Sequence, residues 1–523
     1  MMYARFQKIC CVMLLGAAAF SQQAQAFCGF YAARADASLY NRASQVILAR
    51  DGERTVISMQ NDYAGPLSEF VLVVPTPQVI KQGQVRIADK AIFKKLDELS
   101  APRLTEYHDE DPCKFEIPWG IKYMSVQKVH VTASTYFSKD ARRYQATGVT
   151  VEAKFTLDEY DIVSLSAKQS EGLELWLRQN GYKIPPGASS ALAPYIKQGM
   201  KFFVAKVNLK EQKRIGFGYL RPLQFAFESP KFMLPMRLGM LNAEAGKPQD
   251  LIVYALTREG RVEAANYRTS KLPTDMALPN FIKPHYAEFY QAMFDKQSKQ
   301  EGYRNIFTEY AWSLNSCDPC ITDPPTNEEL QKAGVFWLSG DAQAGFAALQ
   351  SPGGLIKMPP LKDERKRPAV ITRLHLRYTP ESFPEDLVLT ATRDSRNWQV
   401  RHFITYPFKG DMASCKAQVE KTDCNQFCQV EVKAIMQKRN EHADANSNRA
   451  QEELHQECMQ TCQKTKQRAL QQGQEYYEEL PKLLQEEAIN LPKLSGWSAQ
   501  KIDQLKRSAA GQAAAKPKSL AAP

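Results

Sequence analysis

The chain has 523 residues, with 68 Lys and Arg against 57 Asp and Glu, which gives a formal net charge of +11. This length is sufficient for two or three domains with ordinary hydrophobic cores, so its 11 cysteines are not a substitute for a core. The basic excess contains no block interleaved with aromatics, which argues against a nucleic-acid partner and leaves only weak attraction to an anionic membrane surface.

Residues 1–26 have the features of a secretory signal peptide. Arg5 and Lys8 precede the apolar stretch Ile9–Phe20, and Ala24–Ala26 is a small-x-small cleavage site. Cleavage removes two cations and two cysteines, which leaves a charge of +9 and nine cysteines. No later stretch has eighteen uninterrupted apolar residues, so we expect no transmembrane span. The sequence therefore predicts a periplasmic or secreted protein in an oxidising compartment.

Residues 27–410 show many short strand patterns and few helices. We expect a β-rich domain over 27–155 and a second one, with short helices, over 156–410. This succession favours an α+β fold with a mainly antiparallel, sandwich-like body. The predicted strands are Gln45–Leu48, Thr55–Gln60, Glu69–Val74, Val126–Phe137, Thr147–Phe155, Lys201–Leu209, Leu223–Phe227, Leu251–Thr257, Val335–Leu338, Val370–Tyr378, Leu387–Thr392 and Gln399–Tyr406, and the helices are Ala88–Leu99, Glu171–Gln179 and Ala191–Lys197.

The composition changes near residue 411 to Gln, Glu, Lys and Ala, which predicts a helical hairpin over 411–497. We expect its two helices at Lys416–Glu441 and Arg449–Leu480. Pro481 and Pro492 are expected to break the helix that precedes them. Residues 498–523, rich in Ala, Lys and Pro, are expected to form a disordered tail.

Two cysteine pairs in the hairpin are each spaced i, i+4, so each pair lies on one face of its helix. Their positions are mirror-related, which places Cys424 opposite Cys462 and Cys428 opposite Cys458 in an antiparallel hairpin. We therefore predict two interhelical disulfides and a stapled hairpin that resembles a short coiled coil. A four-thiolate metal site with His455 nearby is the alternative, although structural zinc favours closer Cys-x-x-Cys spacing and a reducing compartment.

The motif Cys317-Asp-Pro-Cys320 has the spacing of thiol oxidoreductases, whose reactive thiolate lies at a helix N-terminus. Here Pro324 and Pro325 follow so closely that they remove such a helix. We favour a structural disulfide, either local or to another cysteine, and keep redox catalysis as the alternative.

Arg373, His375 and Arg377 share one face of a predicted strand and could receive an anion, but a solvated strand face is the interpretation we favour. The histidines have no metal-ligand spacing, and the chain lacks a nucleophile elbow, a phosphate-binding loop and a dinucleotide fingerprint. The sequence therefore predicts no metal, no cofactor and no assignable catalytic residues.

Several blocks of the chain resemble a bacterial family known as domain of unknown function 2330. The resemblance runs in order from about residue 28 to 410 and resumes near 480. It implies an exported bacterial protein of uncharacterised activity, with no agreed catalytic residues. The blocks are Cys28-Gly-Phe30, Trp176-Leu…Asn180-Gly-Tyr182, Pro235-Met-Arg-Leu-Gly239, Glu309-Tyr-Ala-Trp312 with Cys317-Asp-Pro-Cys320, Gly334-Val-Phe-Trp-Leu338, Thr372-Arg-Leu-His375 with Phe383-Pro-Glu-Asp-Leu387, and Leu494-Ser-Gly-Trp497.

Two departures from that family bear on the cysteines. The family's opening has a second cysteine soon after the first, whereas Phe30–Ala35 contains none. Disulfides are expected to involve Cys28, Cys113, Cys317 and Cys320, but the pairing among these four and Cys415 stays open, with one of the five free or joined to another chain. The stapled hairpin itself resembles an insertion into a shorter helical C-terminus.

The leading hypothesis is a non-enzymatic envelope protein whose β-rich body presents the hairpin to a protein partner. A polar helical hairpin that is cross-linked by disulfides and followed by a basic tail is better suited to contact with a partner than to lining a catalytic site. The alternative is a periplasmic enzyme, either a hydrolase or a thiol oxidoreductase that uses Cys317 and Cys320. Neither the ligand nor the partner can be read from the sequence.

Overall fold

The fold is known from a computed structural model, which describes residues 30–33, 40–64, 70–114, 117, 149–180, 187–208, 210–211, 214, 220–242, 248–316, 318, 324–338, 369–439 and 445–515. The expected signal peptide, the expected strand Val126–Phe137, and Cys28, Cys317 and Cys320 lie outside these residues. The described chain divides into two compact units. Unit 1 lies within Met1–Pro102, Phe137–Leu272 and Gln297–Gln399, and unit 2 lies within Arg103–Tyr136, Pro273–Lys296 and Val400–Pro523.

Twenty strands and nine α-helices occur in the described residues. The strands are β1 (Phe30–Ala33), β2 (Tyr40–Asp51), β3 (Arg54–Ala64), β4 (Phe70–Thr76), β5 (Val85–Ile87), β6 (Arg103–His108), β7 (Val149–Leu157), β8 (Tyr160–Ala167), β9 (Lys201–Val207), β10 (Leu223–Glu228), β11 (Met233–Leu234), β12 (Gln249–Thr257), β13 (Val262–Ala264), β14 (Arg268–Lys271), β15 (Met276–Ala277), β16 (Asn305–Ser313), β17 (Val370–Tyr378), β18 (Leu387–Ala391), β19 (Trp398–Gln399) and β20 (Arg401–Tyr406). The helices are α1 (Lys90–Ser100), α2 (Ser170–Gln179), α3 (Ala188–Lys197), α4 (Tyr286–Gln300), α5 (Asn327–Lys332), α6 (Met412–Glu420), α7 (Cys424–Arg439), α8 (Ala445–Ser495) and α9 (Ala499–Ala515).

Unit 1 is built on two large sheets that share one hydrophobic core. The five-stranded sheet has the order β1-β4-β9-β8-β7 and is antiparallel throughout. The nine-stranded sheet has the path β14-β16-β17-β12-β2-β3-β10-β5, with β19 beside β16. Apolar side chains from both sheets, such as Val74, Phe203, Ile57 and Phe225, belong to the same buried cluster. This shared core confirms the α+β class and its mostly antiparallel, sandwich-like body.

Helices cover the outer faces of both sheets in unit 1. Helices α2 and α3 pack on the five-stranded sheet through a cluster that contains Leu173, Leu192 and Phe202. Helix α1 packs on the nine-stranded sheet through Ile92 and Leu96, which recur at i, i+4 as an amphipathic helix requires. Asp89 begins α1 because its side chain accepts a hydrogen bond from Ala91 N. Unit 1 therefore has four layers.

The expected boundary between residues 155 and 156 falls inside β7, where Phe155 and Thr156 both pair with β8. Strand β2 pairs in parallel with β12, so segments about 200 residues apart form neighbouring strands of the nine-stranded sheet. The chain therefore divides into interleaved segments and not at one point in sequence.

Unit 2 contains a parallel three-stranded sheet, β15-β20-β6, and the C-terminal helices. Helix α8 has 51 residues, so it is about 76 Å long at 1.5 Å per residue. Its C-terminal part packs against the sheet and α4 through a cluster that includes Phe289, Ile404, Leu491 and Leu494. Its N-terminal part packs against α7. None of the described helices is long and apolar enough to cross a bilayer.

Several expectations for the C-terminal region are corrected by the structure. The expected helix Lys416–Glu441 is two helices, α6 and α7, and the second expected helix runs on through Pro481 and Pro492 to Ser495. The expected disordered tail is helical over α9, where Leu505 is buried and Lys501 Nζ lies 2.6 Å from Glu288 Oε1. Residues 516–523 lie outside the described residues.

Two short elements also differ from the sequence-based expectation. The run Val335–Leu338 is not a strand, because Phe336–Leu338 forms a 3-10 turn whose Trp337 is buried in the cluster under α1. Helix α4 was not predicted, although Phe289 and Met293 carry the i, i+4 spacing of a buried face.

Candidate functional site

The sequence-predicted anion site lies on β17, between β12 and β16 in the nine-stranded sheet. Arg373, His375 and Arg377 do project from one face, as their alternation predicts. The favoured interpretation of a solvated strand face is wrong, because Arg373 is 5% exposed and His375 is 9% exposed. Buried charged and polar side chains need hydrogen-bonding partners.

A bulge in the neighbouring strand supplies the first partner. The register of β16 against β17 slips between Thr308 and Tyr310, so Glu309 is the extra residue. Bulges re-aim side chains, and the Glu309 carboxylate is fully buried beside β17. Its Oε2 accepts a hydrogen bond from Arg373 Nε at 2.5 Å, and its Oε1 lies 2.6 Å from His375 Nδ1. One carboxylate therefore contacts both the guanidinium of Arg373 and the imidazole of His375.

Helix α1 and strand β12 complete the network around Arg373. Its Nη1 donates to Asp97 Oδ1 and lies 3.3 Å from the hydroxyl oxygen of Tyr254, and that hydroxyl donates to Asp97 at 2.8 Å. Burial raises the pKa of Tyr254, so its hydroxyl stays a donor. Burial acts to lower the pKa of Arg373, but Tyr254, Glu309 and Asp97 outweigh it and the pKa is raised.

Arg377 is also paired within the chain. Its Nε and Nη2 each donate to the Asp250 carboxylate at 2.6 Å, in a two-bond geometry that is typical of strong arginine–carboxylate pairs. Asp250 is the residue opposite Arg377 in the β12–β17 ladder. The cations that could receive an external anion are therefore held by carboxylates of this chain, and the arrangement ties α1, β12, β16 and β17 together.

Sequence reasoning missed the partners Glu309, Asp97, Tyr254 and Asp250. Glu309 carried a usable signal, because a lone carboxylate within the apolar run of β16 must be paired if that strand is buried. Asp97 gave no such signal, since it lies on a helix that the sequence does not place over this sheet. Among the described residues, no group of three or more His, Cys, Asp or Glu side chains could hold a metal ion.

The Cys317-Asp-Pro-Cys320 motif is described only at its second position. Asp318 is buried, and its Oδ2 accepts a hydrogen bond from the Tyr310 hydroxyl at 2.9 Å. Tyr310 lies on β16, so this bond anchors the motif to the nine-stranded sheet. The pairing of Cys317 and Cys320 falls outside the described residues and stays a prediction.

The hairpin cysteines pair as their mirror spacing predicts. Cys424 is bonded to Cys462 and Cys428 is bonded to Cys458, with Cα–Cα distances of 5.8 and 5.7 Å. All four sulfurs are in disulfides, so they are not the thiolate ligands that the alternative metal site requires. We define the hairpin as α7 together with residues 445–462 of α8.

A third disulfide joins Cys113 to Cys415 across 302 residues. It gives Cys113 the disulfide that the sequence predicts, and its partner is a cysteine whose pairing the sequence left open. This bond lies against α8 at Gly473, where an added Cβ would come within 2.5 Å of one sulfur and 2.6 Å of the other. A glycine in mid-helix is thus explained by the close approach of a disulfide.

The fold and the three disulfides among the described residues define an α+β protein whose C-terminal helices are joined by disulfides. Within that class, the chain belongs to the DUF2330 family, an uncharacterised protein family conserved in bacteria, whose model matches residues 22–390. This confirms the resemblance over those residues. The match ends before α6 begins, so the hairpin lies outside the matched segment. No curated protein and no solved structure matches the chain.

Proposed function

We propose that this chain is an exported, non-enzymatic binding protein of the bacterial envelope, and that its hairpin contacts a protein partner. One observation carries the proposal: four of the six buried residues in the hairpin's own core are disulfide cysteines. The other two are Val432 and Met436. The hairpin therefore depends on covalent bonds more than on apolar burial for its shape.

The two disulfides hold the hairpin in one geometry before it binds a partner. They close segments with sequence separations of 38 and 30 residues, and each typically adds about 2–4 kcal/mol of stability. A helix pair that is already held in its bound geometry loses less conformational entropy on association. The exposed Val430, which is 62% exposed on α7, offers an apolar contact on the outside of the hairpin.

Export is supported by the chemistry of the cysteines. Three disulfides occur in the described residues, and disulfides persist in the periplasm and outside the cell but are rare in the cytosol. The sequence-predicted signal peptide supports the same compartment. We therefore propose a periplasmic or secreted location.

An enzyme is the second candidate, and one contact favours it. The 2.6 Å approach of His375 Nδ1 to Glu309 Oε1 resembles the carboxylate–histidine pairs that orient a general base. Hydrolysis of ester or peptide substrates by the purified chain, abolished in His375→Asn, would replace the binding proposal. Fast alkylation of mildly reduced Cys317 and Cys320 at neutral pH would favour the redox alternative.

Excision of the hairpin tests the binding proposal. The Cα atoms of Cys424 and Cys462 are 5.8 Å apart, so a short glycine linker can replace residues 424–462 without moving the flanking helices. The bridge Cys113–Cys415 and its contact at Gly473 remain in this variant. We expect partners that the full chain captures from the envelope fraction to be lost on excision.

Two matched variants make that comparison specific. Replacing all four hairpin cysteines by serine keeps the length of the hairpin but removes its bridges, and we expect weaker partner binding than in the full chain. Val430→Glu changes only the exposed face and is expected to weaken binding with no change in thermal stability. An identical set of partners for the excised chain would contradict the proposal.

A further inference from the structure

A cavity opens at one end of the core between the two large sheets of unit 1. It lies where β4 ends and β9 begins, facing β3 and β10, and it has a volume of about 320 Å³. Known small-ligand pockets start at about 300 Å³, so this cavity is at the small end of that range. Its lining includes the apolar side chains of Ile57, Val74, Phe225 and Phe227, together with Lys231 and Met233.

The floor of this cavity is apolar and buried. Ile57, Val74, Phe225 and Phe227 come from the core that the two sheets share, and each is at most 6% exposed. Pro75 and Pro77 form part of the wall, and their fixed φ angles limit how far the wall can collapse. A preformed apolar pocket of this kind favours a ligand with a compact hydrocarbon body.

The rim is polar and carries one sign of charge. Gln198, Pro230 and Lys231 are exposed at the opening, and among the described lining residues Lys231 is the only charged one. Lys231 Nζ lies 3.5 Å from Gln198 Oε1, which places the ammonium group beside a neutral side chain at the mouth. A ligand with an anionic head and an apolar body would satisfy both parts of the site.

We propose that this cavity binds a small amphipathic acid, with its hydrocarbon body between the sheets and its anionic head at Lys231. At ~30 Å³ per water, the cavity has room for about ten waters, which corresponds to a ligand of about ten heavy atoms. An eight-carbon fatty acid has this size. This site lies in unit 1 and is independent of the hairpin.

A larger cavity of unit 1, about 540 Å³ in volume, differs in that two of its three lining arginines, Arg50 and Arg258, already have partners in the chain. Arg258 pairs with Asp51 and lies over the ring of Trp337. Arg50 donates to Thr55 Oγ1 at 2.8 Å and to the Ser229 carbonyl at 3.0 Å. The smaller cavity is therefore the better candidate for a ligand site, because Lys231 lies at the mouth of an apolar space and the described lining residues include no carboxylate.

Calorimetric titration of the full chain with octanoate tests the proposal, with 1-octanol and butyrate as matched probes. We expect octanoate to bind with a Kd of about 0.1–1 mM. 1-Octanol, which lacks the charge, should bind about fivefold more weakly. Butyrate, which lacks half of the chain, should bind more than tenfold more weakly.

Two variants test whether the probe binds in this cavity with its anionic head at Lys231. Lys231→Gln should remove the preference for octanoate over 1-octanol, while Lys197→Gln, at an exposed lysine of α3, should leave it unchanged. Met233→Trp should fill the cavity and abolish binding of both probes, with circular dichroism showing that the fold is retained. No octanoate binding, equal affinity for octanoate and 1-octanol, or binding that persists in folded Met233→Trp would each overturn the proposal.

Discussion

At the scale of single residues, buried charged side chains connect neighbouring strands. Glu309 joins Arg373 and His375 across β16 and β17, and Arg373 also reaches Asp97 on α1. A buried charge that loses its partner is costly, because its desolvation is no longer compensated. The network is therefore more sensitive to loss of one member than an exposed ion pair is.

Glu309→Gln tests this sensitivity. The substitution leaves Arg373 buried with one carboxylate fewer, and we expect the free energy of unfolding of unit 1 to fall by about 3 kcal/mol. Glu228→Gln is the matched control, because it breaks the exposed pair with Arg54 and should cost less than about 1 kcal/mol. The denaturant midpoints of the two variants measure the difference. Equal shifts would show that the buried network stabilises the fold no more than the exposed ion pair does.

Glu487 on α8 makes stability depend on pH. It is 3% exposed, its Oε1 has no hydrogen-bond partner in the described part of the chain, and burial raises its pKa to about 7. The folded state thus holds the proton more tightly than the unfolded chain. Below pH ~4.5 the Glu487 carboxyl is protonated, and the free energy of unfolding is not reduced by a buried charge. This stability is lost as the pH rises through about 7.

Glu487→Gln should remove that dependence. We expect the variant to be more stable than the parent by about 2–3 kcal/mol at pH 8 and equal to it at pH 4.5. Glu486→Gln, at an exposed position beside it, should change little at either pH. Thermal unfolding of the three proteins across this range gives the comparison, and a parallel pH profile for parent and Glu487→Gln would refute the assignment.

At the scale of elements, packing overrides the local signals in α8. Pro481 lies within the helix although a proline removes one backbone hydrogen bond, at a cost of about 3 kcal/mol. The helix continues because it is anchored on both sides of Pro481, by Gly473 against the Cys113–Cys415 bridge and by Leu491 and Leu494 in the cluster with α4. Neither anchor could be read from local sequence, since each depends on segments far away in the chain.

Gly473→Ala should therefore destabilise the protein, although glycine to alanine in a helix normally stabilises by up to about 1 kcal/mol. The new Cβ would lie 2.5 and 2.6 Å from the two sulfurs, and such overpacking costs about 1–3 kcal/mol. Gln472→Ala, at the exposed preceding position, serves as the control for helix propensity.

A second background shows whether the bridge is the cause. In a chain that carries Cys113→Ala and Cys415→Ala, the sulfurs are gone, and Gly473→Ala should become neutral or stabilising in thermal unfolding. A loss of stability that is the same in both backgrounds would show that the disulfide is not what requires the glycine.

At the scale of the whole molecule, the parts that the sequence predicted are those with short-range or symmetric signals. The hairpin could be predicted, because its cysteines follow the helix period and their mirror spacing gives the pairs Cys424–Cys462 and Cys428–Cys458. The division into units could not, because it depends on the pairing of β2 with β12 across about 200 residues. The face of β17 was predicted, but among its partners Glu309 alone had a local signal, and the packing of Asp97 on α1 over this sheet had none.

We propose an exported chain whose hairpin is fixed by disulfides as a binding element. The most direct test is non-reducing peptide mapping by mass spectrometry on protein taken from cell fractions. We predict that the protein is found in the envelope or medium with linked peptides for Cys113–Cys415, Cys424–Cys462 and Cys428–Cys458. Protein that remains in the cytoplasm with free thiols at the four hairpin cysteines would contradict the claim.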